Sequence, residues 1–315
     1  MPTTAGELLT NYLAQQIAGL KQQEPLVRQD EPDSVHQMRM SARRLRSVLA
    51  TGKKLFDDAA APAAGASVPE VREELKWLSG ALGSARDPEV IHQRLRDLLA
   101  EEPDALVFGP AGLAIDRELE AASADGRKAA LEALDSDRYA RLLSHLQELV
   151  TVAPLTERAA RPPRKTMRKL VAKDAARVRR AVADLEGATD GPRHGSPARD
   201  AGLHEVRKAA KRLRYAAEAA EPVAGKKAAK TAKRAHELQQ ILGLHQDSVV
   251  ARTLLADLGG RTAGTGRPAS SSGGSSDASG FTYGRLHARE EALAASAEAE
   301  FWKAWKKFSR HQPGG

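Results

Sequence analysis

One pattern occurs twice in this chain, and the repetition constrains its fold more than any other feature. The first copy reads His36-Gln37-Met38-Arg39-Met40-Ser41-Ala42-Arg43-Arg44-Leu45-Arg46, and the second His204-Glu205-Val206-Arg207-Lys208-Ala209-Ala210-Lys211-Arg212-Leu213-Arg214. A self-match of this kind implies two related halves. On a helix of 3.6 residues per turn, His36, Arg39, Arg43 and Arg46 fall within an arc of about 80°, and Lys53 extends it. Met38, Ala42, Leu45, Leu49 and Phe56 line the opposite side as a core-facing stripe. The second copy sets His204, Arg207, Lys211 and Arg214 against Val206, Ala210, Leu213 and Ala217. Like charges at this spacing cost a helix roughly 0.2–0.5 kcal/mol per pair. A merely solvated face could mix Glu, Gln, Lys and Arg without loss, so twinned cations in register point to a multivalent anion as partner.

The charge distribution agrees with that reading. Of 49 Lys/Arg and 41 Asp/Glu in 315 residues, the segment 161–234 holds 21 and 8, a net of +13, which leaves the remainder at −5. Such asymmetry suits nucleic acid, an anionic membrane surface or a phosphate polymer. Aromatic residues make up only 4 %, which argues against platforms that stack single-stranded bases. The absence of Cys excludes disulfides and thiolate metal sites and fits a reducing compartment. No apolar run approaches the roughly 20 residues of a membrane span, and the first residues lack a signal-peptide pattern. The cytoplasm is therefore the expected location.

Ala, Leu, Glu, Arg and Lys dominate and β-branched runs of period two are absent, so the expected class is all-α. The periodicity predicts helices over 5–29, 34–57, 69–83, 88–100, 110–134 and 137–151, then over 163–186, 199–221, 226–243, 247–258, 281–294 and 296–309. The first repeat is placed at 5–152 and the second at 161–310. Asp33-Ser34 and Asp87-Pro88 resemble helix starts, and Pro62, Pro154, Pro162-Pro163 and Pro222 interrupt the pattern. Linkers are expected at 59–68, 187–198 and 259–280, the last a flexible Gly/Ser surface insertion. The repeat continues past the basic motif: Leu78-Ser-Gly-Ala-Leu82-Gly83-Ser-Ala-Arg86-Asp87 matches Leu238-Gln-Gln-Ile-Leu242-Gly243-Leu-His245-Gln246-Asp247. This reads as a Gly C-cap followed by an Asp N-cap, a structural role for Asp87 and Asp247. A weaker third match sets Gly112…Arg117-Glu118 against Gly284…Arg289-Glu290.

H-x-x-R-x-x-x-R-R-L-R followed by L-G-x-x-R-D resembles the CHAD domain, the conserved histidine α-helical domain, over about residues 5–310. The resemblance implies two helical bundles related by a pseudo-twofold axis around a central basic groove or pore, and non-catalytic binding of inorganic polyphosphate. Carried over position by position, it implicates His36, Arg39, Arg43, Arg44 and Arg46 with His204, Arg207, Lys211, Arg212 and Arg214. Two departures stand out. Lys211 replaces an Arg, which keeps charge but loses two-point geometry, and Gln246 stands where the first half has Arg86. Many family members carry a second domain with an E-x-E-x-K signature. No such motif occurs, Glu298-Ala-Glu300-Phe-Trp-Lys303 being nearest, so the chain reads as a stand-alone module.

Cations one helical turn apart can follow a phosphate chain, Arg by paired donors and Lys as a point charge. Binding would be steeply salt-dependent, by analogy with nucleic acids. His36 and His204 are read either as pH-sensitive phosphate contacts or as neutral structural hydrogen-bonders. Lys53, Lys165 and Arg168 are further candidates for the groove, and Lys226, Lys227, Lys230, Lys233 and Arg234 for its rim. Phe301, Trp302, Trp305 and Phe308 read as core of the last helix. No metal or cofactor is implied. The alternative partner is nucleic acid bound by segment 161–234, against which stand the scarce aromatics and the lack of a reading motif. An enzyme acting on phosphate would need metal-holding carboxylates and a positioned base, and the basic faces supply no carboxylate cluster. The expected use is targeting to polyphosphate granules in the cytoplasm.

Overall fold

The computed structural model describes residues 2–57, 65–152, 154–187, 195–264 and 278–310. It is all-α. The described helices are α1 (Ala5–Arg28), α2 (Ser34–Gly52), α3 (Val68–Ala100), α4 (Ala111–Asp135), α5 (Asp137–Thr151), α6 (Pro163–Glu186), α7 (Pro197–Ala224), α8 (Lys226–Gly264) and α9 (Ser279–Arg310). Local signals set most starts. Thr4 and Ser196 cap α1 and α7 by accepting from the amides of Glu7 and Arg199, and Ser67 with Glu70 forms a reciprocal capping box on α3. Asp33 precedes α2 as expected, but with left-handed φ of 62° and no side-chain cap bond. Its carboxylate accepts from Gln37 Nε2 instead.

The structure corrects the sequence reading at three places. The helices expected at 69–83 and 88–100 are one, α3, as are 226–243 with 247–258 in α8 and 281–294 with 296–309 in α9. Gly83, Asp87, Gly243 and Asp247 are therefore helix-interior residues, not caps. Pro88 is tolerated inside α3. It removes only the amide that would bond to Ser84 O, and α4 crosses on that very carbonyl, where a Cβ at Gly126 would collide with it. The second correction is that α2 ends at Gly52, with Lys53–Leu55 in a 3-10 turn. Thirdly, the tract expected to be a loop from 259 is helical to Gly264. Its remainder at 265–277, like Pro62, most of the linker 59–68 and residues 188–194, lies outside the described residues.

Three apolar cores hold the helices. The first gathers α1, α2, the first half of α3, the end of α4 and α5, and takes in Met167 of α6 and Tyr215, Ala219 and Ala220 of α7. The second gathers α6, α7, the first half of α8 and the end of α9, where Phe301 and Phe308 are buried and Trp302 and Trp305 pack beside them, as the sequence suggested. The third was not expected. The unbroken second half of α3 and first half of α4 meet their counterparts in α8 and α9 through Ile91, Leu95, Ile115, Leu255, Tyr283 and Leu286. Across this junction Arg94 donates to both carboxylate oxygens of the buried Glu290 and to Ser248 Oγ, each at 2.7 Å. The two halves thus share a core and are not merely adjacent bundles.

Candidate functional site

The duplicated helices α2 and α7 meet each other. Their apolar stripes are spent on their own halves: Met38, Ala42, Leu45 and Leu49 in one, Val206, Ala210 and Leu213 in the other, each fully buried. The mutual contact is mixed, because Tyr215, Ala219 and Ala220 of α7 join the first half's core, with Met40 of α2 packed against it. The Tyr215 hydroxyl lies 3.8 Å from Met40 Sδ, Arg44 lies 3.6 Å from Glu218, and Arg212 donates to Ala50 O and to Thr51 Oγ1.

At this crossing the half-buried Lys211 of α7 has Arg39, Arg43 and Arg46 of α2 and Arg207 of its own helix as its charged neighbours. Burial, and then those four guanidinium groups, push its ammonium pKa down to about 6. Arg43 is pushed down for the same reasons, burial first, then Arg39 and Arg207, with Tyr215 and Asp87 opposing. Among the described residues, Arg43, Arg46, Arg207 and Lys211 have no ion pair or hydrogen bond, and the Nε atoms of Arg39 and Arg207 are buried without a partner. Buried polar groups are ordinarily satisfied, so this cluster has bonding capacity to spare.

The protein's own carboxylates reach it from one side. Asp87 of α3 accepts from both terminal nitrogens of Arg39, at 2.5 and 2.9 Å. Its repeat counterpart Asp247 on α8 faces Arg207 and Arg94, and burial pushes its carboxyl pKa up. Gly83 now has a reason. A Cβ at Gly83 would sit 2.8 Å from the Arg39 guanidinium, and one at Gly243 3.7 Å from that of Arg207. Gly83 makes room for the cation stretched over it, whereas at Gly243 a Cβ would make only ordinary van der Waals contact.

The histidines differ between the copies. His36 is near Asp33, Arg86, Arg39 and Arg43, and His204 meets Gln246 Oε1 at 2.5 Å through Nδ1. Burial is the main cause that lowers the pKa of both. Gln246 occupies the position of Arg86, so the departure in the motif exchanges a cation beside His36 for a hydrogen-bond acceptor beside His204.

Three of the implicated cations turn elsewhere. Arg214 donates to Glu218 at 2.6 Å and meets His236 Nδ1 at 2.8 Å, with Arg44 sharing the same carboxylate. Arg212 pairs at 3.0 Å with Asp174, which is 1 % exposed and also serves Arg177 and Thr51. Lys53 is exposed in the 3-10 turn, and Lys165 and Arg168 are exposed on α6. Two residues not singled out in the sequence lie near Arg212: Arg72, whose Nε is buried and unpartnered, and Lys173, which is also beside Lys54 and Arg177. A cavity of about 730 Å³ between α3 and α4 lies apart from the crossing, and its Arg96 is outnumbered by Asp97, Asp104 and Asp116.

The family model of the CHAD domain matches residues 11–256. The chain belongs to the CHAD domain family. PptA from Streptomyces chartreusis is similar in structure, with a TM-score of 0.75 and 28 % identity over 96 % of this chain and 99 % of that one. The CHAD domain from the plant Ricinus communis shares the fold, with a TM-score of 0.68 and 24 % identity over 96 % and 92 % of the two chains. Two uncharacterized proteins of Mycobacterium tuberculosis are 33 % identical over 98 % of this chain. This CHAD chain spans about half of their length, 54 %.

Proposed function

We propose that this CHAD domain binds inorganic polyphosphate at the crossing of α2 and α7, without turning it over. The observation that carries the reading is the cluster of Arg39, Arg43, Arg46, Arg207 and Lys211, drawn from both repeats, with Asp87 as the one carboxylate bonded to it among the described residues. Forcing like charges together in a half-buried place costs stability, and a dense polyanion is the ligand that repays it. Recognition without aromatic platforms suits a polymer that has no bases to read. Binding in place of hydrolysis is supported by the residues at hand. Phosphoryl transfer needs carboxylates that hold metal, and Asp87 is already engaged by Arg39. Granule targeting in the cytoplasm is the expected use, and no described helix is long and apolar enough to cross a membrane.

The test is calorimetric titration with long-chain polyphosphate, comparing the wild type with R43A and R207A. Each substitution should weaken binding at least tenfold and lower the salt dependence by about one released counterion. Unaltered affinity in both variants would refute the site. The strongly basic segment 161–234 supports nucleic acid as the second reading. Duplex DNA that displaces polyphosphate at equal phosphate concentration would favour it, and phosphate release in the presence of Mg²⁺ would overturn the non-catalytic assignment.

A further inference from the structure

The cluster contains one group of a different chemical kind. Four of its members are guanidinium groups, which neither lose a proton nor attack electrophiles. The fifth is an amine. Lys211 is half-buried and makes no hydrogen bond or ion pair among the described residues, and Arg39, Arg43, Arg46 and Arg207 are its charged neighbours. Asp87 on α3 is committed to Arg39, and Asp247 on α8 faces Arg207. Among the described residues, no acidic neighbour holds the proton on Lys211. An amine desolvated beside other cations is the arrangement that turns lysine into a nucleophile.

We propose that Lys211 is a covalent modification site for small phosphate-bearing aldehydes, which the surrounding guanidinium groups hold by their phosphate. The proposal uses the anion-binding reading only for that grip on phosphate. The Nζ lone pair adds to the carbonyl carbon, and the carbonyl π pair moves to oxygen, which takes up a proton. The nitrogen gives a proton to solvent, water leaves, and a C=N bond forms. Nothing is oxidised or reduced.

The reactive fraction depends on acidity. An ordinary exposed lysine is roughly 0.03 % neutral at pH 7, whereas a group titrating near 6 is about 90 % neutral, a gain on the order of a thousandfold. Lys208 is a built-in comparison. It lies three positions away on the same helix, is exposed, and is paired with Glu205 at 2.5 Å. The adduct would occupy the crossing and leave no room for a polymer.

The full chain is treated at pH 7 with substoichiometric pyridoxal 5′-phosphate, reduced with borohydride, digested and mapped by mass spectrometry. Label should concentrate on Lys211 at least tenfold over Lys208, and K211R, whose guanidinium does not attack aldehydes, should remove that label and leave the rest unchanged. Pyridoxal without the phosphate should label Lys211 far more slowly. Equal labelling of Lys211 and Lys208 overturns the proposal, and so does pyridoxal reacting at Lys211 as fast as its phosphate ester. Polyphosphate bound beforehand should protect Lys211. Labelling without protection would leave the modification site standing and refute the polyphosphate reading.

Discussion

A polyanion that fills the crossing should bring a proton with it. Lys211 titrates near 6 in the ligand-free protein, against an ordinary value of 10.5. A phosphate chain laid among Arg39, Arg43, Arg46 and Arg207 compensates their charge and gives the ammonium a partner, which restores its pKa toward the ordinary value. At pH 8 the ligand-free protein holds a proton on about 1 % of its Lys211 side chains, and the complex on nearly all. Between the two values binding takes up close to one proton, so affinity falls about tenfold per pH unit, or roughly a hundredfold from pH 7 to 9. His36 and His204, whose pKa values lie below the ordinary 6.5, add uptake only at the acidic end of this range. The ligand-free protein shows the opposite sign. The unfolded chain holds the Lys211 proton and the folded chain does not, so stability rises as pH climbs from about 6 toward 10.5. The assay is calorimetry at pH 8 in two buffers of different ionisation enthalpy, with chains long enough that their titrating ends are negligible. K211R keeps its charge at every pH used and should bind with a flat profile. Affinity that rises with pH, or binding with no proton uptake at pH 8, would show that Lys211 is not the desolvated amine described.

Three further outcomes rest on single contacts. D87N releases Arg39 from its carboxylate; because Asp87 is largely exposed, the pair is worth at most about 1 kcal/mol, and polyphosphate affinity should rise up to about fivefold in titration. D174N leaves Arg212 and Arg177 without their buried carboxylate and should cost about 3–5 kcal/mol in urea denaturation. G126A drives a methyl group into the Ser84 carbonyl; since both sides of that contact are backbone, a loss of about 1–3 kcal/mol is expected in the same measurement.

Periodicity is a local property, and the features that depend on it were legible in the chain. The all-α class, the duplication, the apolar stripes and the cationic arcs of α2 and α7 all rest on neighbours within a few turns. Helix ends were less legible. Gly83 and Asp87 have the residue types of a cap, yet α3 runs through them, because the demand for glycine comes from Arg39 on another helix and the aspartate answers the same guanidinium. No local rule separates a glycine that ends a helix from one that lets a side chain pass.

The sequence alone determined that two amphipathic basic helices exist and which of their faces would be buried, since both are consequences of 3.6-residue periodicity. Only the tertiary structure decided which cations stay open for a ligand. Arg39 meets Asp87, Arg44 meets Glu218 and Arg212 meets Asp174 across long stretches of chain, while Arg43, Arg46, Arg207 and Lys211 are left facing one another. Coulomb energy and desolvation depend on distances and burial in space, and spacing along a chain specifies neither.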